Sequence, residues 1–175
     1  MTSRWPVVFL DRDGVINRMR PDHVKVWKEF EILPGSVEAV ARISSSGRRV
    51  IVLTNQSVIG LGLATEGTVE CIHRRLRALV EEAGGRLDGF LVCPHTRDDG
   101  CDCRKPALGL FRKAERELGV DLGAAVMVGD QPSDVAAAEA AGCAVIVIDP
   151  AEAMAANGHP RVRTLAAAAD LICAG

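Results

Sequence analysis

Three segments of this chain place acids or a hydroxyl directly after apolar runs. Val7-Val8-Phe9-Leu10 runs into Asp11-Arg12-Asp13-Gly14, and Val50-Ile51-Val52-Leu53 into Thr54-Asn55-Gln56-Ser57. Val126-Met127-Val128 runs into Gly129-Asp130, with Asp134 four residues on, and Arg104-Lys105-Pro106 lies between the last two segments. An aspartate attacks phosphorus competently when a divalent cation screens its charge from the phosphate. A second acid nearby can protonate the leaving oxygen and then activate water. A hydroxyl, an amide and an ammonium can hold the group in transit. Asp11, Asp13, Thr54, Asn55, Lys105 and Asp130 are therefore parts for metal-assisted phosphoryl transfer through an aspartyl intermediate. Mg²⁺ usually takes one or two protein carboxylates plus substrate oxygens and waters. Asp11 and Asp130 supply those carboxylates.

Each part alone has a plainer use. Asp-x-Asp-Gly is common in acidic surface turns. Thr54 or Asn55 can cap a turn, and Lys105 can be a solvated lysine before a helix-starting proline. Asp134 either caps a helix or orders a metal-bound water. Their joint occurrence at strand ends favours the chemical use, because ligands of parallel sheets bind beyond the carboxyl ends of the strands.

A second cluster follows a different chemistry. Cys93-Pro94-His95 and Cys101-Asp102-Cys103 offer three thiolates and one imidazole within eleven residues. Three sulfurs and one nitrogen make a closed tetrahedral set for Zn²⁺, with no position left for substrate, so the zinc is expected to be structural. It would order a loop with no long apolar stretch and anchor Lys105. The plainer reading is a reactive or buried thiol cluster. Cys71, Cys143 and Cys173 read as small core residues. His73 and His159 have no evident partner and read as surface residues. His23 lies in a long loop where it could meet substrate.

These residues need a frame that brings strand ends together. Strand-like runs at 7–11, 49–54, 89–93, 124–129 and 144–149 alternate with helix-like stretches, which predicts an α/β domain with a parallel sheet. The first helix is expected from Ser36, as its cap, to near Gly47, with Val37, Val40, Ala41 and Ile43 inward. The second is expected over 65–83, on a stripe of Val69, Ile72, Leu76, Leu79 and Val80. A third covers about 107–118, and a fourth runs from Ser133 to Gly142. Thr164–Ile172 would close the sheet or form a last helix. Long connections at 17–34 and 94–106 interrupt the alternation and are candidate functional loops.

The chain has 175 residues, enough for one domain with a sizeable core, and residues 1–175 are read as that single domain. A formal charge of −2 argues against nucleic-acid binding driven by bulk charge. No apolar run approaches the ~18 residues of a membrane span. Met1 to Pro6 leads into the first strand without a signal-peptide core, so a cytoplasmic monomer without membrane partners is expected. The six cysteines would then be reduced thiols or metal ligands.

Taken in order, Asp11-Arg12-Asp13-Gly14-Val15-Ile16-Asn17, Thr54-Asn55-Gln56-Ser57, Cys101-Asp102-Cys103-Arg104-Lys105-Pro106 and Gly129-Asp130-x-x-x-Asp134 resemble the four motifs of haloacid dehalogenase superfamily phosphatases. The pattern is most similar to the D-glycero-D-manno-heptose 1,7-bisphosphate 7-phosphatases, with histidinol-phosphate phosphatases next. The resemblance implies a Rossmann-like three-layer sandwich with strand order 5-4-1-2-3, a zinc-binding loop and no large cap domain. It implies Asp11 as nucleophile and Asp13 as general acid/base, with the Asp13 backbone carbonyl on Mg²⁺. Thr54 and Lys105 would hold the phosphoryl group, and Asp130 would complete the Mg²⁺ site. Two cations of the heptose pattern are absent, since Leu61 and Gln131 stand in their places.

The expected activity is a Mg²⁺-dependent phosphomonoesterase acting on a small phosphorylated sugar, with Arg104, Arg18 and Arg20 available for a second phosphate. The alternatives are a phosphatase for histidinol phosphate or another metabolite, and a catalytically silent zinc-stabilised binding domain.

Overall fold

The computed structural model describes residues 4–154 and 158–174. Met1, Thr2 and Ser3 of the leading segment, Ala155, Ala156 and Asn157 of the tail, and Gly175 lie outside the described residues. Six parallel strands form one sheet: β1 (Val7–Leu10), β2 (Arg49–Asn55), β3 (Gly89–Cys93), β4 (Ala125–Gly129), β5 (Ala144–Ile148) and β6 (Arg161–Val162). Their spatial order is β3-β2-β1-β4-β5-β6, which is the expected 5-4-1-2-3 with one strand added beyond β5. Of the two uses expected for Thr164–Ile172, the helix is the one that forms, and the sheet is extended by residues just before it. β6 extends the sheet edge, and a helix from Leu165 to Cys173 packs back on it.

The strands are nearly continuous apolar runs because both faces of the sheet are covered. Alternation still sorts their side chains. Val8, Leu10, Val50, Val52, Val126 and Val128 pack into one core, and Val7, Phe9, Ile51, Leu53 and Met127 into the other. Helices α1 (Ser36–Ser45), α3 (Glu66–Glu82) and α6 (Leu165–Cys173) cover the first face. Helices α4 (Gly109–Leu118) and α5 (Pro132–Ala140) cover the second. A short helix, α2 (Ser57–Gly60), follows β2 directly and was not legible from periodicity.

Two helical details differ from the sequence reading. Gly35, at φ 73°, is the residue before α1, and Ser36 is its first helical residue, with Oγ donating to the Ile16 carbonyl at 2.7 Å. Ser36 therefore ties α1 to the first loop and does not cap the helix. On α3 the buried stripe is Val69, Ile72, His73, Leu76 and Val80, with Leu79 only half-buried. Among the described residues no helix is long and apolar enough to cross a membrane.

Candidate active site

Register fixes the site. Leu10 pairs with Val52 on one side and Val128 on the other, so Asp11 stands level with Leu53 and Gly129 at the carboxyl edge of the sheet. The Asp11 amide extends the ladder by donating to the Val128 carbonyl at 3.0 Å. Lys105 reaches the same point from the loop after β3. Its Nζ donates to Asp11 Oδ1 at 3.0 Å and to the Leu53 carbonyl at 2.7 Å, and lies 2.7 Å from Asp134 Oδ1. Those three partners match the three hydrogens of an ammonium. Asn55 holds the lysine backbone from both sides, accepting from the Lys105 amide and donating to its carbonyl, each at 3.1 Å.

Asp134 caps its helix, one of the two uses expected of it, and adds a contact with Lys105 that neither included. Its Oδ2 accepts from the amides of Asp130 and Gln131 at the start of α5, and its Oδ1 pairs with Lys105. The capping acid thus also orients the buried ammonium. Gly129 leaves room for this contact, because a Cβ there would overlap the Asp134 side chain.

Asp13 is held from three directions. Arg12 Nη2 and Asn17 Nδ2 each donate to Oδ1 at 2.9 Å, and Gln56 Nε2 donates to Oδ2 at 2.7 Å. Burial alone would raise this carboxyl. The Arg12 charge and the three donors outweigh burial and hold it below the usual carboxylate range. Gln56 Nε2 also donates to Thr54 Oγ1 at 2.8 Å, so the buried hydroxyl and the carboxylate share one amide.

The donor set fits a hard divalent cation. Carboxylate oxygens of Asp11, Asp130 and Asp134 all lie within 4.8 Å of one another. Asp130 Oδ1 is buried and has no hydrogen-bond partner among the described residues. Burial pushes Asp11 up to about 8, against the pull of Lys105 and with the help of Asp134, Asp13 and Asp130. Burial also pushes Asp130 up to about 6, against the Gln131 amide. At Lys105 the opposing burial is overcome by Asp11 and Asp134, and the ammonium is held above its ordinary value. Four carboxylates thus face only two buried cations, Lys105 and Arg12, and the surplus negative charge is what a divalent ion would neutralise. Gly14, at φ 87°, permits the close approach of Asp130, since a Cβ there would overlap its carboxylate.

A cleft of about 330 Å³ opens over Asp11 and Asp13. Arg20, His23, Arg97, Arg104 and Gln131 contribute to its walls. Arg104 is steadied by donating to the His95 carbonyl at 3.1 Å. Arg18 does not line this cleft. It pairs with Glu31 at 2.8 Å on the exposed side of the loop. Gln131 turns inward and donates to Asp130 Oδ2 at 3.0 Å, whereas Leu61 is exposed at the end of α2.

The zinc candidates converge. Cys103 Sγ lies 3.1 Å from Cys93 Sγ, 3.6 Å from Cys101 Sγ and 3.2 Å from His95 Nδ1. Cys93 Sγ is 3.7 Å from Cys101 Sγ and 3.6 Å from His95 Nδ1. Zinc–ligand bonds of about 2.0–2.3 Å require tetrahedral edges of roughly 3.4–3.8 Å. The four atoms fit that cage with a small expansion at Cys103.

Arg12, Asn17, Gln56 and Arg97 complete the site and were not singled out from the sequence. His73, read as a surface residue, is buried. Its Nε2 lies 3.2 Å from Arg12 Nη1, and its ring stacks on Phe90 at 4.4 Å. The available signal was spacing, because His73 falls on the Val69-Leu76-Val80 face of α3. His159 is half-buried and meets Glu139 at 2.7 Å.

Comparison with known proteins agrees with this geometry. Residues 6–142 match the family model described as haloacid dehalogenase-like hydrolase. The chain is 42% identical over 154 residues to a D-glycero-beta-D-manno-heptose-1,7-bisphosphate 7-phosphatase of Pseudomonas aeruginosa, covering 88% of this chain and 86% of that one. It is 40% identical over 148 residues to a D-glycero-alpha-D-manno-heptose-1,7-bisphosphate 7-phosphatase of Mycobacterium tuberculosis, covering 81% and 78%. Among solved structures it is similar to D,D-heptose 1,7-bisphosphate phosphatase from B. bronchiseptica complexed with magnesium and phosphate. That likeness has a TM-score of 0.89 and 36% identity, over 95% of this chain and 97% of that one.

Proposed function

The chain belongs to the haloacid dehalogenase-like hydrolase family, and on that premise we propose that it is a phosphatase removing the 7-phosphate of D-glycero-D-manno-heptose 1,7-bisphosphate through Asp11. The observation that carries this reading is the Asp11 carboxylate itself. It lies at the floor of the cleft with Oδ1 bound by Lys105 and Oδ2 left for attack, among the carboxylates that fit Mg²⁺.

Asp11 Oδ2 attacks phosphorus, and the bond from phosphorus to the sugar oxygen breaks with its electron pair going to that oxygen. The Asp13 carboxyl gives the oxygen a proton, so the sugar leaves as an alcohol. Asp13 then takes a proton from water while the water oxygen attacks phosphorus. The bond from phosphorus to Asp11 breaks, and phosphate and the original carboxylate are restored. Asp13 is held below the usual carboxylate range in the free protein, so it takes up a proton, from solvent or from a phosphate monoanion, before it gives one to the leaving oxygen. Lys105 keeps the Asp11 carboxylate aimed, and Thr54 presents its hydroxyl to the transferring group. Asp11, Asp130 and the Asp13 backbone carbonyl would hold Mg²⁺, which supplies charge neutralisation between nucleophile and phosphate when bound.

Arg20, Arg97 and Arg104 line the cleft, which supports their use for the second phosphate of a bisphosphate. Binding energy from that remote group orients the reacting end. Zn²⁺ on Cys93, His95, Cys101 and Cys103 is structural in this reading, and it fixes the loop that carries Arg104 and Lys105. The reading extends to a single-domain monomer in the cytoplasm. The test is phosphate release, with and without Mg²⁺, from heptose 1,7-bisphosphate, heptose 7-phosphate and histidinol phosphate. The bisphosphate should be the best substrate. A preference for histidinol phosphate, or no preference, would remove the sugar-bisphosphate assignment.

A further inference from the structure

Arg12 is the largest fully buried side chain of the described residues, and a buried guanidinium must be paired or become costly. Asp13 Oδ1 is the carboxylate that pairs with it, at 2.9 Å from Nη2. The other arm of the fork, Nη1, ends on His73 Nε2 at 3.2 Å, and the guanidinium lies over the Phe30 ring at 5.4 Å. Arginine has only donors. His73 Nε2 must therefore accept, which requires a neutral imidazole with its proton on Nδ1. Burial and the neighbouring Arg12 charge push His73 down to about 3, in keeping with that form. The ring cannot easily rotate away, because it is stacked on Phe90 at an interplanar angle of 10° and anchored within α3.

We propose that His73 is a positioning residue for the reaction: as a hydrogen-bond acceptor 61 residues away, it fixes the Arg12 fork that aims the Asp13 carboxylate into the cleft. This rests on the reading of Asp13 as the general acid/base. His73 touches no reacting atom. It acts through Arg12, with Asn17 and Gln56 holding the remaining positions around Asp13. A planar fork bound at one arm only can swing. A swing at Arg12 would move the proton donor while leaving Asp11, Lys105 and the metal carboxylates in place.

The experiment compares His73→Leu and His73→Gln on two substrates with Mg²⁺ in excess, a sugar phosphate with an alkoxide leaving group and p-nitrophenyl phosphate. Proton donation matters for the first and little for the second. In single-turnover kinetics, which read the first transfer alone, His73→Leu should slow the sugar phosphate by about tenfold to a hundredfold and p-nitrophenyl phosphate by less than about threefold. His73→Gln keeps an acceptor oxygen and should restore most of the loss. Equal losses on both substrates, or no rescue by glutamine, would overturn the proposal. Nitrogen-15 NMR of the unaltered protein gives a second test independent of any variant. The His73 ring should be a neutral Nδ1–H tautomer from pH 5 to 8, and a protonated Nε2 would overturn the proposal. Asp13→Asn in the same assay separates the two layers. If it shows the leaving-group split and His73→Leu does not, only the present inference fails. If Asp13→Asn shows no split, the acid/base reading beneath it fails.

Discussion

Lys105 Nζ lies 3.0 Å from Asp11 Oδ1, and with contacts to Asp134 and the Leu53 carbonyl the lysine has no donor to spare. From its motif, Lys105 is expected to hold the transferring phosphoryl group. The structure gives it first to the nucleophile, so a phosphate contact must come at the expense of one of these three bonds.

Replacing Lys105 with Met would keep the volume and remove the charge. Asp11 and Asp134 would then face each other across a buried gap. Breaking one partner of a buried ion pair typically costs about 3–5 kcal/mol. Urea unfolding should show a loss of that order, and phosphate release should fall by at least about 10². Near-normal turnover in a folded Lys105→Met protein would show that the ammonium neither aims Asp11 nor stabilises the reaction.

Asp13→Asn keeps the hydrogen-bonding shape but cannot move a proton. General acid catalysis contributes about 10²–10⁴-fold, so turnover of sugar phosphates should drop by that factor. Transfer from activated aryl phosphates to Asp11 should be affected far less, whereas the later hydrolysis step, shared by both kinds of substrate, should slow for each. Single-turnover kinetics on the two substrate types checks this, and an equal loss in the first transfer would count against the proton-transfer role.

The crowded carboxylates predict an inverted pH profile of stability in metal-free protein. Asp11 and Asp130 are raised by burial to about 8 and about 6, from an unfolded value of about 4. Between these limits the folded state binds more protons than the unfolded state, so this contribution makes stability fall as pH rises from about 4 to 8. Mg²⁺ should reverse the trend by replacing those protons. Thermal unfolding with and without Mg²⁺ should show a larger stabilising shift at pH 8 than at pH 5. A shift independent of pH would mean that Mg²⁺ does not bind at these carboxylates.

Cys101→Ser should lose zinc. Structural sites of this kind hold about one ion per chain and contribute directly to folding. Metal analysis should find about one zinc in the unaltered protein and little in the variant. The variant should also melt lower and lose activity, because Lys105 follows Cys103 by two residues. A zinc-free unaltered protein with the same melting temperature and activity would contradict the structural role.

The strand ends were legible because each apolar run adjoins its functional residue directly, as Leu10 adjoins Asp11 and Gly129 adjoins Asp130. The zinc set was legible because four soft or borderline ligands lie close together in sequence. The scaffold around Asp13 was not. Nothing in the sequence marks Arg12 as buried, and its acceptor lies 61 residues away on a helix, so no local pattern connects it to His73. β6 was hidden for another reason: Arg161 and Val162 carry too short a signal, and only their place beside Val147 and Ile148 makes them a strand. Gly35 and Ser36 show a third limit, since a serine before an apolar face suggests a cap until Ile16 is seen to claim its hydroxyl.

The central claim is that Asp11 becomes phosphorylated, and a chemical trap tests it directly. Asp13→Asn, in which release of the phosphoryl group is slowed, would be quenched during turnover of p-nitrophenyl phosphate, whose leaving group needs no acid, and treated with borohydride. This reagent reduces an acyl phosphate to an alcohol. Peptide mass spectrometry should then find homoserine at position 11 and unaltered aspartate at positions 130 and 134. Turnover without modification at position 11, or modification at another carboxylate, would contradict the account.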